Sequence, residues 1–331
     1  MQQNRKIIYR LESGSHLYGT ATAESDIDFS SVFMPTTYDL LSLQKCDYIN
    51  ESTKPSSQDR RNTSEDIDDQ QYSLPRFLHL VLHGNPNLLE ILFCNKPLIE
   101  DPVFTPLKEN AYRFVAKHIY HSFTGFAVSQ KKKLEYKSKR FKQLLKTVEY
   151  LETHYSTIIT DPKAQMEANL VSWLNANLSE YKGDKRSRQS FHEGLPVKII
   201  YEKIKSECEN YGWRVRTDTF LSLGYDAKFA AHTVRLFYEG IQLLTKRALE
   251  FPITGQAYED IMAIRRGEVA LEEFYRICDR YDEANKKALA QTNLPDAPDW
   301  KWANQYLVDT LEKHIVSTSL HQTHIKKTSV K

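Results

Sequence analysis

The sequence has little glycine, few cysteines and no long apolar run. Only 11 of its 331 residues are glycine, which argues against a glycine-rich doubly wound sheet and favours a helix-rich fold. The four cysteines form no CxxC pair and no Cys/His cluster, which argues against a zinc ribbon or a dense disulfide framework. Because no apolar run reaches membrane-spanning length and the N-terminus lacks an apolar signal region, we expect a cytoplasmic protein with no membrane partner.

A dominant charge of one sign is also missing, since the formal net charge is only +2. The total charge therefore indicates no polyanionic partner, and the distribution of charge is more informative. Hydrophobic residues make up 40% and charged residues 27% of the chain, as in ordinary globular proteins. The length favours two domains.

Strand and turn signals are confined to the first third of the chain. Residues 7–11 are β-branched and aromatic, and residues 27–34 alternate in part like a strand. After about residue 101 the pattern becomes helical, with candidate helices at 104–126, 138–152, 195–209, 227–248, 258–265 and 271–290. The sequence thus predicts an α+β fold, with a small α/β domain at residues 1–103 and a mainly helical domain at residues 104–331.

The end of the first domain carries loop and helix signals. Residues 45–69 are polar, end in acidic residues and predict a mobile loop. Pro75 can begin a helix, and its apolar stripe would consist of Phe77, Leu78, Val81 and Leu82. After a stop at residues 84–86, we expect Asn87 to cap the next short helix.

The segment from Gly14 to Asp28 carries the strongest chemical signal. Gly14 and Ser15 follow a predicted strand, where backbone N–H groups and a hydroxyl can cradle phosphate oxygens. Asp26 and Asp28 would share one face of a strand, because side chains alternate with period two. Adjacent carboxylates repel and so indicate a bound cation, and hard oxygen ligands suit Mg²⁺. The alternative is a loop with two incidental acids.

These residues resemble a known group of enzymes. Gly14-Ser15-x-x-Tyr18-Gly19-Thr20, followed by Ser25-Asp26-x-Asp28, is similar to the DNA polymerase β nucleotidyltransferase superfamily, and more narrowly to its RNA-ligase-associated, predicted-nucleotidyltransferase branch. Residues 72–93 and the pattern Lys228-x-x-x-His232-x-x-Arg235 with residues 264–268 extend the resemblance over most of the chain. Residues 138–218 do not match, and His16 and Leu17 depart from the usual pattern.

The resemblance implies a polymerase-β-like catalytic domain at residues 1–103 and a helical domain that completes the nucleotide site and binds the acceptor. It also implies a third carboxylate, which serves as a metal ligand and as the base for the attacking hydroxyl. Asp66, Asp68 and Asp69 are the candidates. Asp68 fits the branch's pattern best and shares strand parity with Gln70 and Tyr72, although a solvated acidic loop would look similar. The implied cofactor is Mg²⁺, with Mn²⁺ as the alternative, and the substrate is a nucleoside triphosphate.

Three cations in the helical region form a second candidate site. Lys228, His232 and Arg235 are spaced i, i+4, i+7, which places them on one helix face. Together with Gly14 and Ser15 they would bind the nucleotide, with Arg235 gripping phosphate through two donors. The alternative is a solvated helix face, and His232 alone would be a structural histidine.

A dense basic run with interleaved aromatic residues forms the third candidate site. Such a run can follow a nucleic-acid backbone while its aromatic rings stack on bases, although a solvated helix face looks similar. The candidate RNA contacts are Lys131, Lys132, Lys133, Lys137, Lys139 and Arg140.

Together these features predict a Mg²⁺-dependent nucleotidyltransferase. It would transfer a nucleoside monophosphate from a nucleoside triphosphate to an acceptor hydroxyl, with an RNA or tRNA 3′ end favoured, in RNA repair or modification. One alternative is nucleotidylation of a protein or a small molecule, as in AMPylation. The other is an inactive module that binds nucleotide or RNA.

Overall fold

The computed structural model describes residues 5–23, 25–52, 67–183, 187–213 and 223–328. The chain forms two compact units, and each unit combines segments that are far apart in sequence. The first unit contains Met1–Ala127, Val234–Ile261 and Arg280–Lys331, and the second contains Val128–Thr233 and Met262–Asp279. The predicted division after residue 103, into a catalytic and a helical domain, stays a prediction.

The first unit contains a five-stranded mixed sheet. Its strands are β1 (Lys6–Glu12), β2 (Ile27–Met34), β3 (Tyr48–Ser52), β4 (Ile67–Ser73) and β5 (Ile99–Glu100), in the order β3-β4-β2-β1-β5. β2 and β4 run parallel, and the other neighbouring strands of this sheet run antiparallel. Several apolar side chains of β1 and β2 are buried, including Ile8, Leu11 and Phe33. The two predicted strands are confirmed.

Short helices follow these strands. They are α1 (Ser15–Tyr18), α2 (Thr37–Leu41), α3 (Leu74–Leu82), α4 (Pro86–Leu89) and α5 (Thr105–Glu109). The hydroxyl of Ser73 caps α3 by accepting from Arg76 N at 3.3 Å, Pro75 lies in the first turn, and the predicted apolar stripe is buried. The expectation for Asn87 is wrong, because Asn85 caps α4 and accepts from Leu88 N at 3.3 Å. Pro86 needs no N–H partner and takes the first helical position.

The predicted helix at residues 104–126 is interrupted. After α5, the chain forms a 3₁₀ turn at Ala111–Phe114 and a π-helical segment at Tyr120–Gly125. The backbone N–H of Lys117 donates to the carbonyl of Pro295 at 2.9 Å, so a tertiary hydrogen bond replaces one that a continuous helix would make. The apolar positions Phe104, Leu107 and Phe114 are nevertheless buried.

The rest of the chain is mainly helical. It contains α6 (Phe126–His154), α7 (Ala168–Asn177), the two-stranded sheet β6 (Glu180–Lys182) and β7 (Arg188–Ser190), α8 (Val197–Trp213), α9 (Ala227–Lys246), α10 (Gly255–Arg266), α11 (Leu271–Gln291) and α12 (Trp300–Thr328). The second unit has its own core, to which Phe141, Leu174 and Ile204 belong.

The fold class is thus α+β, with an N-terminal mixed-sheet domain and a mainly helical C-terminal region, as predicted. Within the described ranges, no helix has the length and apolar character that crossing a membrane would need.

Candidate functional site

A tight turn follows the first strand of the sheet. Gly14 has a φ of 64° and precedes α1, and Gly19 ends this helix with a φ of 71°. Tyr18 N donates to Gly14 O at 3.2 Å, and Thr20 N donates to Ser15 O at 2.9 Å. Positive φ values suit glycine because it has no Cβ, so both glycines are needed where the sequence has them.

The turn lies directly against Asp28 of β2. Ser13 N donates to the Asp28 carbonyl at 2.8 Å. A Cβ atom added to Gly14 would lie 3.0 Å from Oδ2 of the Asp28 carboxylate. The missing side chain therefore allows the turn to approach this carboxylate, and the two halves of the Gly-Ser…Asp-x-Asp motif are in contact.

Asp28 and Asp68 are partners in neighbouring strands. β2 and β4 are parallel, with Asp28 opposite Asp68 in the register. Opposed residues of neighbouring strands point to the same face of a sheet, and the strands lie about 4.8 Å apart. Both residues are partly exposed, as is Asp26, which lies just before the first residue of β2. The structure thus brings two of the three predicted carboxylates to one face.

The donor chemistry at this face fits a hard divalent cation, because carboxylate oxygens are the ligands that Mg²⁺ prefers. Among residues 5–23, 25–52, 67–183, 187–213 and 223–328, no group of three or more His, Cys, Asp or Glu is arranged to hold a metal ion. The complete ligand set of Asp26, Asp28 and Asp68 stays a prediction.

Asp69 belongs to a different environment from Asp68. Its side chain is buried and accepts hydrogen bonds from Ser31 Oγ and Gln71 Nε2, both at 2.9 Å, and it forms an ion pair with Arg10 at 3.4 Å. Successive strand residues point to opposite faces, so Asp69 points away from the face of Asp28 and Asp68. The third candidate, Asp66, lies outside the described residues.

Arg235 is buried in the first unit beside the turn. Its guanidinium donates to the carboxylates of Glu90 and Glu239, the latter at 2.7 Å, and lies 4.1 Å from the centre of the Tyr18 ring. The Tyr18 hydroxyl donates to the other oxygen of Glu90 at 2.7 Å. The side chain of Arg235 is 4% exposed. These contacts give Arg235 a structural role, and its predicted contact with nucleotide stays a prediction.

This network contains one arginine and two glutamates. Burial raises the pKa of Glu239 well above its ordinary value, although Arg235 opposes this effect. Burial lowers the pKa of Arg235, but the charges of Glu239 and Glu90 have a larger effect, so the pKa of Arg235 is raised. Burial also raises the pKa of Tyr18. One arginine is thus shared by two buried glutamates, and burial makes Glu239 harder to ionise.

Lys228 and His232 belong to the second unit, whereas Arg235 belongs to the first, although α9 contains all three. Lys228 is exposed and His232 is partly exposed. Their predicted contacts with nucleotide stay predictions.

Some of the predicted RNA contacts on α6 are exposed, and others pair with acidic side chains of the protein. Arg140 is buried and donates to the Glu207 carboxylate and to the carbonyls of Leu178 and Glu180. Lys131 forms an ion pair with Asp279. Arg140 is therefore not part of a basic surface, because its guanidinium is enclosed by acceptors. The exposed lysines of the run are Lys132, Lys133, Lys137 and Lys139.

Sequence comparisons place the chain among known proteins. It is 26% identical over 262 residues to an uncharacterized 38.9 kDa protein of the nrdC-mobD intergenic region of enterobacteria phage T4, covering 72% of this chain and 76% of that protein. No solved structure matches it. Residues 1–309 match the RNA repair pathway DNA polymerase beta family. Since this match spans nearly the whole sequence, the chain belongs to that family, whose members are polymerase-β-like nucleotidyltransferases.

Proposed function

We propose that this protein transfers a nucleoside monophosphate from a nucleoside triphosphate to an acceptor hydroxyl, with Mg²⁺ as cofactor, and that the acceptor is an RNA 3′ end, such as that of a tRNA. The family supports the nucleotidyltransferase class and a role in RNA repair. The observation that carries the proposal is the register that places Asp28 opposite Asp68. A pair of partly exposed carboxylates beside a glycine turn suits metal-dependent phosphoryl chemistry.

Each residue of the site has a defined task in this proposal. Asp26 and Asp28, with Asp68, hold the metal ion, which supplies charge neutralisation at the phosphates when it is bound. The backbone at Gly14 and the Ser15 hydroxyl bind the triphosphate. Lys228 and His232, which belong to the second unit, are proposed nucleotide contacts. Because a Cβ atom on Gly14 would lie only 3.0 Å from the Asp28 carboxylate, the phosphate-binding turn lies beside the metal-binding face.

The bond changes follow from this arrangement. The acceptor oxygen forms a bond to the α-phosphorus, and the bond from that phosphorus to the bridging oxygen of the β-phosphate breaks. Pyrophosphate leaves with the electron pair. Asp68 accepts the proton of the attacking hydroxyl. Asp69 is unsuited to this task because Ser31, Gln71 and Arg10 surround its carboxylate in the interior.

RNA is the favoured acceptor on two grounds. The family is described by its RNA repair pathway, and α6 displays four exposed lysines near Tyr136, whose side chain is 59% exposed. Lysines can follow a phosphate backbone while an aromatic ring stacks on a base. The cytoplasm stays the predicted compartment.

The experiment incubates the protein with each of the four α-³²P-labelled nucleoside triphosphates and Mg²⁺, and with separate pools of RNA, protein and small molecules. We expect label on RNA 3′ ends, and none with Asp28→Ala or Asp68→Ala. Glu51→Ala is the matched control, because Glu51 is an exposed carboxylate on the neighbouring strand β3, and it should transfer like the wild type.

The other results would count against specific parts of the proposal. Label on the protein pool alone would refute the RNA acceptor and would indicate nucleotidylation of a protein, as in AMPylation. Mg²⁺-dependent nucleotide binding without transfer in any pool would indicate an inactive binding module. Full transfer by both aspartate variants would show that the carboxylates do not hold the metal.

A further inference from the structure

Tyr18 connects the phosphate-binding turn to a buried ion network. Its ring lies over the Arg235 guanidinium at 4.1 Å, and its hydroxyl donates to Glu90 at 2.7 Å. Arg235 in turn is held by Glu90 and Glu239, whose side chains are 3% and 0% exposed. Every side chain of this Tyr18–Glu90–Arg235–Glu239 network, which we call the Tyr18 network, therefore has a fixed neighbour.

The backbone of the turn is held from the same part of the chain. The Tyr18 carbonyl accepts from Ile253 N at 3.1 Å. A Cβ atom on Gly19 would lie 2.7 Å from Pro252 Cβ, and the rings of Tyr18 and Phe251 lie 6.0 Å apart. The segment that follows α9 thus packs against the end of the turn, while the start of the turn contacts Asp28.

Stability alone does not account for such a network. Apolar side chains of similar volume often stabilise a core as well as a buried ion pair does, because removing charges from water is costly. Buried polar groups, however, can specify one arrangement, since only one geometry satisfies their hydrogen bonds. A fixed geometry matters most where a turn must place phosphate ligands beside a carboxylate.

We propose that the Tyr18 network is a positioning device, which holds the Gly14–Gly19 turn against Asp28 so that Ser15 and the backbone are ready for the triphosphate. Tyr18, Glu90, Arg235 and Glu239 are then positioning residues that act through the turn. This inference rests on the proposed function and assigns a role to the tyrosine of the Gly-Ser-x-x-Tyr-Gly motif.

The first test compares Tyr18→Phe with Tyr281→Phe. Tyr281 is a matched control in the same unit, because it is buried and its hydroxyl donates to the Asp260 carboxylate at 2.9 Å, which also pairs with Arg280. Two quantities are measured: amide hydrogen exchange of residues 13–20, and kcat/KM for the nucleoside triphosphate in the labelled-transfer assay.

For Tyr18→Phe we expect faster exchange in residues 13–20 and a fall in kcat/KM of about ten- to a hundredfold, the effect of misplacing a group near the chemistry. The fall should include a lower kcat at saturating nucleotide. Tyr281→Phe should change neither quantity. Equal effects of the two variants, or a Tyr18→Phe protein with wild-type exchange or wild-type kcat/KM, would overturn the proposal.

A second pair of variants tests the network without altering the turn. Glu239→Leu removes one acceptor of Arg235 and should speed exchange of residues 13–20, whereas Glu239→Gln keeps an acceptor oxygen and should restore slow exchange. Unchanged exchange in Glu239→Leu would overturn the role of the network. Because exchange needs no activity, a wild type that transfers no label would refute the proposed function and leave this inference to be decided by exchange.

Discussion

The first unit buries one arginine between two glutamates, whereas the second unit buries one glutamate between two arginines. In the first, Arg235 contacts Glu90 and Glu239. In the second, Glu207 accepts from Arg140 and from Arg188, the latter at 2.8 Å. The two networks use the same chemical groups, and in the second one Arg188 also pairs with Glu180 at 3.4 Å.

The two networks differ in how their third charged side chain is exposed to solvent. Burial raises the pKa of Glu207, but hydrogen bonds from Arg140 and Arg188 have a larger combined effect, so the pKa of Glu207 is lowered. The second arginine of this network, Arg188, is 33% exposed and reaches solvent. Glu239 does not reach solvent, since its side chain is 0% exposed, and its pKa is raised. The second network thus places its additional arginine near the surface beside another carboxylate, whereas the additional carboxyl group of the first network is enclosed and has a raised pKa.

The largest expected effect comes from removing the single cation of the first network. Arg235→Met leaves two buried carboxyl groups without a positive partner, and breaking a buried pair in this way costs roughly 3–5 kcal/mol. Arg188→Met removes only a partly exposed arginine and leaves Arg140 on Glu207, so it should cost no more than about 1 kcal/mol. Native-state hydrogen exchange measures the free energy of opening of each unit in the wild type and in the two variants. Equal losses of this free energy in Arg235→Met and Arg188→Met would contradict the difference between the two networks.

A smaller effect is expected from pH. The raised pKa of Glu239 means that the folded first unit binds its proton more tightly than the unfolded chain does. Its stability is therefore full below the ordinary carboxyl pKa near 4.5 and is lost as pH rises, by at most about 1.4 kcal/mol per pH unit. Glu239→Gln should remove this decline above about pH 5, because glutamine does not titrate. A wild-type first unit whose opening free energy does not change over this range would contradict the assignment.

The sequence predicted the parts of this molecule that local rules determine. The strand–turn–strand segment from β1 to β2, the glycine at each end of α1 and the apolar stripe of α3 are all specified within a few residues. The placement of Asp28 opposite Asp68 could only be expected from the resemblance, because about forty residues separate them and the register depends on tertiary pairing. The helix cap at Asn85 was missed by two residues, since both asparagines near Pro86 can cap.

The spacing of the three cations alone did not predict the buried role of Arg235. Lys228, His232 and Arg235 fit one helix face, but the same helix also places Glu239 four residues after Arg235, which is an ion-pair spacing. This spacing was the available signal for a buried network. Arg140 gave no comparable local signal, because its partner Glu207 is 67 residues away and its other acceptors are backbone carbonyls. Burial of a cation is decided by such distant groups.

A pH dependence of the opposite sign is expected at Glu207. Its lowered pKa means that its contribution is present above the ordinary carboxyl pKa near 4.5 and is lost as pH falls through the folded value. Glu207→Gln keeps the shape of the side chain but removes its charge and replaces one acceptor oxygen by an N–H donor, so the second unit should lose about 1–3 kcal/mol at pH 7, the range for hydrogen bonds to charged groups. It should lose less than this at acidic pH, where the wild type is also neutral. Hydrogen exchange of α6 and α8 at both pH values measures the difference, with Glu209→Gln, an exposed neighbour on α8, as the control. A loss in Glu207→Gln that stays constant as the pH falls would contradict this assignment, because the charge of Glu207 would then not contribute to the stability of the second unit.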